Sequence, residues 1–175
     1  MGGIRKQRRK FSRPQHPWKA ERVAEENELV KKYGLKNKKE LWRAEAKLRQ
    51  IRQQARKLLG LTGEEALKEK QDLVGKLNRS GVLKTNNIDD ILALTVQDLL
   101  ERRLQTIVAK KALAKTPNQA RQFVVHKKVK VGSRIVSAPS YIVLKSEEGD
   151  VNLSEKFKVN DFDGRKEKEA KEEGN

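Results

Sequence analysis

The side chains best equipped for recognition chemistry crowd into one stretch of the chain, residues 116–134. Thr116-Pro117-Asn118-Gln119 has the form of a helix start: a hydroxyl cap, proline at the first helical position, and a glutamine at capping-box spacing. On the helix that follows, Ala120, Phe123 and Val124 fall on the inward side, which turns Asn118, Arg121 and Gln122 toward solvent or a ligand. A guanidinium such as that of Arg121 presents a planar fork matched to paired phosphate oxygens. Thr116, Asn118 and Gln122 offer hydrogen bonds to sugar hydroxyls or base edges, which a point charge cannot select. Lys127, Lys128, Lys130 and Arg134 continue the basic run onto a segment with a period of two, where Val129, Val131 and Ile135 alternate around a Gly132-Ser133 turn.

Catalysis is a poor fit. His16 and His126 lie far apart and neither is paired with a carboxylate or nucleophile in a recognisable motif; His126 reads as a helix C-terminal cap or a phosphate contact. With no cysteine, thiolate zinc sites are excluded, so no metal and no cofactor are expected.

Between Arg102 and Lys145 there is no aspartate or glutamate, against eleven basic residues that include Arg102, Arg103 and Lys111. At the overall frequency of 24 acids in 175 residues, 44 residues would hold about six acids. A surface cleared of one sign steers phosphates toward itself. The whole chain has the same bias: 41 Lys+Arg against 24 Asp+Glu give a formal charge of +17. Such charge repels itself in a compact monomer but becomes affinity on a polyanion through counterion release. No signal-like segment and no run of about 18 apolar residues is present, so a soluble, cytoplasmic protein without a membrane partner is expected.

The elements that must position these groups can be read from charge blocks and periodicity. Residues 1–22 carry Arg5, Lys6, Arg8, Arg9, Lys10, Arg13, Lys19 and Arg22 with one acid and a pair of prolines, which predicts an extended basic arm. A helical region is expected over 23–85. Its first helix runs from about Lys19 to Tyr33 and stops at Gly34. Its second begins near Lys38, where Leu41, Ala44, Leu48, Ile51, Ala55 and Leu58 form one face and Arg43, Lys47, Arg49, Arg52, Arg56 and Lys57 occupy the rest. Nine basic residues against two acids between 36 and 57 favour a nucleic-acid-facing surface. A third helix, capped by Thr62 and Glu65, is near charge balance and reads as scaffold. A linker is predicted around 80–87, then a small module over 86–145 with its core at 101–145: a helix starting at Thr95 and Asp98 and continuing through Leu104 to Val108, the Thr116-capped helix, and short strands. Residues 146–175 read as an extension whose charged tail, facing solvent or a basic protein neighbour, is disordered. The fold class is therefore α+β and mainly helical. Few rings are aromatic, so base stacking is a minor theme; Trp18 reads equally as a core plug or a stacking group, and Trp42 as partly buried.

These residues also carry a family resemblance. Glu101 through Thr106, Ala114 through Gln122, His126, Val129-Lys130-Val131 and Ala138-Pro139-Ser140-Tyr141 resemble the small RNA-binding domain named after ribosomal protein four of the small subunit. Arg5 through Phe11, His16-Pro17-Trp18, Lys32 through Lys38, and Asn86 through Leu100 resemble the N-terminal part of that family's archaeal and eukaryotic branch. The resemblance implies a non-catalytic constituent of the small ribosomal subunit in the cytoplasm. It implies direct binding to the 5′ domain of small-subunit ribosomal RNA, nucleation of body assembly, and a position near the path by which messenger RNA enters. It also implies neighbouring ribosomal proteins as partners, among them the family's fifth protein, and an influence on translational accuracy. The zinc-binding cysteine cluster of bacterial relatives is absent, and the usual His-Gly step appears as His126-Lys127, so a changed loop path is expected there. The competing readings are a nucleoid-like or RNA-chaperone binder of any nucleic acid, and an RNA-modifying enzyme docked by the same module.

Overall fold

The computed structural model describes residues 10–83 and 85–154. Arg5, Lys6, Arg8, Arg9 and the expected disordered tail lie outside the described residues. The order of elements is α1 (Ala20–Tyr33), α2 (Lys38–Leu59), α3 (Glu64–Arg79), α4 (Asp90–Ala93), α5 (Val96–Glu101), α6 (Leu104–Lys110), α7 (Pro117–Val125), β1 (Val129–Val131), β2 (Arg134–Ile135) and β3 (Val151–Leu153). The architecture is mainly helical α+β. No described helix is long and apolar enough to cross a membrane.

Helix α1 ends where Gly34 turns left-handed (φ 58°), and the Leu35 amide then donates to the Val30 carbonyl at 3.0 Å, closing the last turn. Helix α2 is amphipathic as its spacing predicts: Leu41, Leu48, Ile51, Ala55 and Leu58 are buried. Helix α3 starts at Glu64 behind Gly63 with no side-chain cap, so the Thr62 and Glu65 capping box does not form. The box of Thr95 and Asp98 does form, with the Thr95 amide donating to Asp98 Oδ2 at 2.7 Å.

One expectation changes on folding. The stripe from Val96 to Val108 is not one helix. It breaks at Arg102-Arg103, where Arg103 adopts an extended conformation, bridges to Ile142, and lets the Leu104 amide reach the Tyr141 carbonyl at 2.7 Å. The reason is that the stripe serves different cores. Leu99 packs with Leu48, Ile51, Val74 and Leu77, Leu100 packs with Tyr33, Leu35 and Leu41, and Leu104, Ile107 and Val108 pack with Phe123, Val124, Val129 and Val143. Leu83, Ile91 and Leu94 pack into the α2–α3 core, and the change of core falls just after Leu100.

The small sheet has the order β2-β1-β3, antiparallel throughout. Lys130 pairs with Ile135 across the hairpin and Val131 pairs with Val151 on the other side. Gly132 takes φ 60° in the turn, as the sequence requires. Strand β3 lies beyond residue 145, so the expected extension begins by finishing the module's core, with Val151 fully buried.

Candidate nucleic-acid interface

The acid-free segment is not acid-free in space. Glu40 arrives from α2, and Glu147 and Glu148 arrive from the loop before β3. Glu40 Oε1 accepts from Arg121 Nη2 at 2.7 Å and Glu40 Oε2 accepts from Arg103 Nη2 at 2.7 Å. The Arg103 side chain is only 8% exposed. Burial works against ionisation of Glu40, but the Arg121 and Arg103 hydrogen bonds and charges outweigh it and hold the carboxyl below its usual value. Arg102 is tied down as well: Nε donates to the Ser80 carbonyl at 2.9 Å, Nη1 to Glu148 at 2.8 Å, and Nη2 to the Val143 carbonyl at 3.0 Å.

Several residues expected to face a ligand therefore also hold the fold. Arg102, Arg103 and Arg121 are structural ion-pair partners, Arg52 donates to the Leu94 carbonyl, and Lys111 donates to the carbonyls of Gly149 at 3.0 Å and Val151 at 3.3 Å, fastening the approach to β3. The physical reason is common to all five. A cation half-enclosed by neighbouring elements must find an acceptor there, because leaving it unsatisfied costs more than a surface contact gains.

The remaining candidates are distributed over three surfaces. On α2, Arg43, Lys47 and Arg56 are exposed. Desolvation and the Lys76 charge lower the pKa of the Lys47 ammonium. On the module, Thr116 is exposed but its hydroxyl caps α7, accepting from the Gln119 amide at 3.2 Å, while Asn118, Gln122 and Lys127 are exposed. Lys128 and Lys130 are half-buried, and Arg134 is exposed while pairing with Glu147 at 2.9 Å. In the arm, Lys10, Arg13 and Lys19 are exposed. The described part of this arm packs on α2: the Phe11 ring lies 6.1 Å from the Trp42 ring, and Ser12 Oγ accepts from Arg49 at 3.1 Å. Trp42 is half-buried and its indole N–H donates to Glu26 at 3.1 Å.

Helix α2 and the module meet across a cleft of about 350 Å³ lined by Glu40, Arg43, Lys47, Arg103, Arg121 and Ser140, among others. Arg43 and Lys47 stand on one lip. Arg121 and Ser140 stand on the other. A polyanion laid along this cleft meets four cations and one carboxylate, and that carboxylate is already neutralised by two of them. Among the described residues no group of three or more His, Asp or Glu is placed to hold a metal ion.

Sequence reading missed Glu40 and Gln105. Gln105 is 1% exposed, and its amide nitrogen donates to the carbonyls of Tyr33 at 3.0 Å, Gly34 at 2.8 Å and Pro117 at 3.0 Å, so it joins α1 to the start of α7. Glu40 did carry a signal. It is one of only two acids among nine cations between 36 and 57, and an acid kept in so basic a stretch is a candidate internal partner. Lys127 has φ 59°, so the backbone after α7 takes the left-handed conformation that glycine favours although the side chain is lysine.

Comparison with known proteins agrees with this division of the chain. The ribosomal protein S4/S9 N-terminal domain family matches residues 4–101, and the S4 domain family matches residues 102–150. The small ribosomal subunit protein uS4 of Methanothermobacter thermautotrophicus is 50% identical over 154 residues, covering 87% of this chain and 90% of that protein. The proteins of the same name from Saccharolobus islandicus strains L.S.2.15 and M.14.25 are each 50% identical over 177 aligned positions, covering 99% of this chain and 96% of theirs. On the strength of these matches along both parts of its length, the chain belongs to the small ribosomal subunit protein uS4 family.

Proposed function

We propose that this chain is a structural, non-catalytic component of the small ribosomal subunit in the cytoplasm, and that it binds the 5′ domain of small-subunit ribosomal RNA through the two lips of the α2–module cleft. The observation that carries the reading is that exposed cations of α2, Arg43 and Lys47, flank the same cleft as the α7 module, in a chain of the uS4 family. Cations on α2 fix phosphates, and Asn118 and Gln122 on the module read sugar or base groups, so position and selectivity come from different elements. A rigid joint between the two lips, made by Glu40 with Arg103 and Arg121, presents both at a fixed spacing. A protein that spans several RNA helices in this way would stabilise their junction early, which is how it would nucleate assembly of the subunit body. Contacts with neighbouring ribosomal proteins, the family's fifth protein among them, and with messenger RNA where it enters belong to the same proposal, as does an influence on translational accuracy.

The test is binding to a 5′-domain transcript across a salt series, beside an unrelated RNA and a DNA duplex of equal length. Non-specific binding fades steeply with salt because its free energy is nearly all counterion release. A preference of about a thousandfold for the ribosomal transcript at physiological salt supports the proposal. Equal weakening of all three ligands identifies a general nucleic-acid binder instead.

A further inference from the structure

Trp18 is 93% exposed, whereas every other Trp, Tyr or Phe among the described residues is buried or half-buried. An exposed apolar side chain standing singly needs no explanation by itself. What sets this one apart is how it is held. Trp18 sits at the tip of the turn before α1, and the two residues ahead of it are clamped: Arg22 Nη2 donates to the His16 carbonyl at 3.1 Å and to the Pro17 carbonyl at 2.9 Å. Arg22 is in turn ion-paired with Glu26, which is 5% exposed and also receives Lys38 at 3.2 Å and the Trp42 N–H at 3.1 Å. Burial works to raise the pKa of that carboxyl, but the Trp42 and Lys38 hydrogen bonds and the Arg22 and Lys38 charges outweigh it and hold the pKa below the usual value. A buried charged site thus anchors the loop whose tip projects an indole that is almost fully exposed among the described residues.

The turn carries exposed cations. Lys19 follows Trp18 in sequence and is exposed while pairing with Glu21 at 3.3 Å, and the exposed Arg13 lines a cleft with Lys19, Arg22 and Arg49 into which Glu26 and Glu45 also reach. A pre-positioned aromatic face flanked by cations matches an unpaired nucleobase with its phosphates better than it matches an apolar protein surface, since the cations would be desolvated without compensation against the latter. We propose that Trp18 is a base-stacking subsite: it receives one unpaired nucleobase of the bound RNA while Arg13 and Lys19 contact the flanking phosphates. This subsite rests on the RNA-binding reading above and adds to it a contact separate from the α2–module cleft.

The experiment uses the full-length chain, its Trp18→Ala and Trp18→Phe variants, and a 5′-domain transcript of small-subunit ribosomal RNA, with tryptophan emission and affinity read across a salt series. Trp18→Phe leaves Trp42 as the only tryptophan, so the Trp18 emission is the difference between wild type and that variant. Expected are quenching of the Trp18 emission on saturation, an affinity loss of about tenfold for Trp18→Ala, recovery of most of it in Trp18→Phe, and a salt slope that does not change because no charge is removed. Unquenched emission with unchanged affinity in Trp18→Ala overturns the stacking proposal and leaves the RNA-binding reading standing. Emission that ignores RNA but shifts to the blue on adding neighbouring small-subunit proteins also overturns it and assigns the indole to a protein contact. If the wild type shows no preference for the transcript over duplex DNA, the RNA-binding reading fails and the subsite fails with it.

Discussion

Glu40 Oε1 lies 2.7 Å from Arg121 Nη2, and this contact joins the N-terminal helices to the C-terminal module. The same carboxylate holds Arg103, so one acid satisfies two enclosed cations from different elements. Replacing Glu40 by Gln leaves both guanidinium groups without a counter-charge, and the expected loss of stability is about 2–3 kcal/mol, short of the full cost of orphaning a deeply buried charge because the site is partly hydrated. The pH dependence follows from the sign of the shift. The folded-state pKa of Glu40 lies below the ordinary value of 4.5, so its contribution is complete above that value and is lost as pH falls through the depressed one. Denaturant unfolding from pH 7 to pH 3 checks this: the wild type loses stability below about pH 4.5, and Glu40→Gln loses less over the same range, with the Glu26 contribution remaining. An unchanged slope would mean that Glu40 does not carry the pair.

Much of this fold was legible because local signals and tertiary demands agree. Gly34, the Thr95 and Asp98 box, the Thr116 cap and the Gly132 turn all sit where the chain must start or stop an element. Legibility ended where one stripe had to serve several cores. Periodicity from Val96 to Val108 is unbroken in sequence, and only the placement of Leu100 and Leu104 in different cores explains the break at Arg102. Charge counting met the same limit at the site. It registers cations along the chain but is blind to acids that folding brings from a distance, so the ion pairs of Arg102 with Glu148 and of Arg103 and Arg121 with Glu40 were not legible in it.

Gly34, at the end of α1, lies close against the module. A Cβ built there would lie 2.8 Å from Pro117 Cβ and 2.9 Å from Gln105 Nε2, on a residue whose φ is +58°. Gly34→Ala therefore combines left-handed strain with displacement of the Gln105 amide from the carbonyls it bridges. A destabilisation of about 2–3 kcal/mol is expected, read as a lowered Tm in a thermal melt. A melt within about 1 °C of wild type would show that α1 and α7 move apart at little cost.

Asn118 and Gln122 provide a test of selectivity without charge. Both are exposed. The double variant Asn118→Ala and Gln122→Ala should fold normally and lose about tenfold in preference for the ribosomal transcript over unrelated RNA, while the salt slope stays fixed, since base or sugar contacts are lost and phosphate contacts are kept. Including Arg121 in such a variant would mix this effect with loss of the Glu40 pair. Equal weakening on both RNAs would remove these two residues from selective recognition.

Lys127 joins backbone strain to ligand contact, and the two can be separated. Its φ of 59° lies in the left-handed region, where a side chain costs about 1 kcal/mol that glycine does not incur. Part of that gain is offset by the larger freedom of glycine in the unfolded chain, so Lys127→Gly should stabilise the protein by about 0.5 kcal/mol. Lys127→Ala removes the same charge but retains the strain, and its Tm should not rise. If the lysine is kept in this conformation because it contacts a phosphate, both variants bind the transcript more weakly and each lowers the salt slope by about one. A more stable Lys127→Gly protein with full affinity would sever that link. Higher stability together with weaker binding would show that the strained backbone is retained for the ligand.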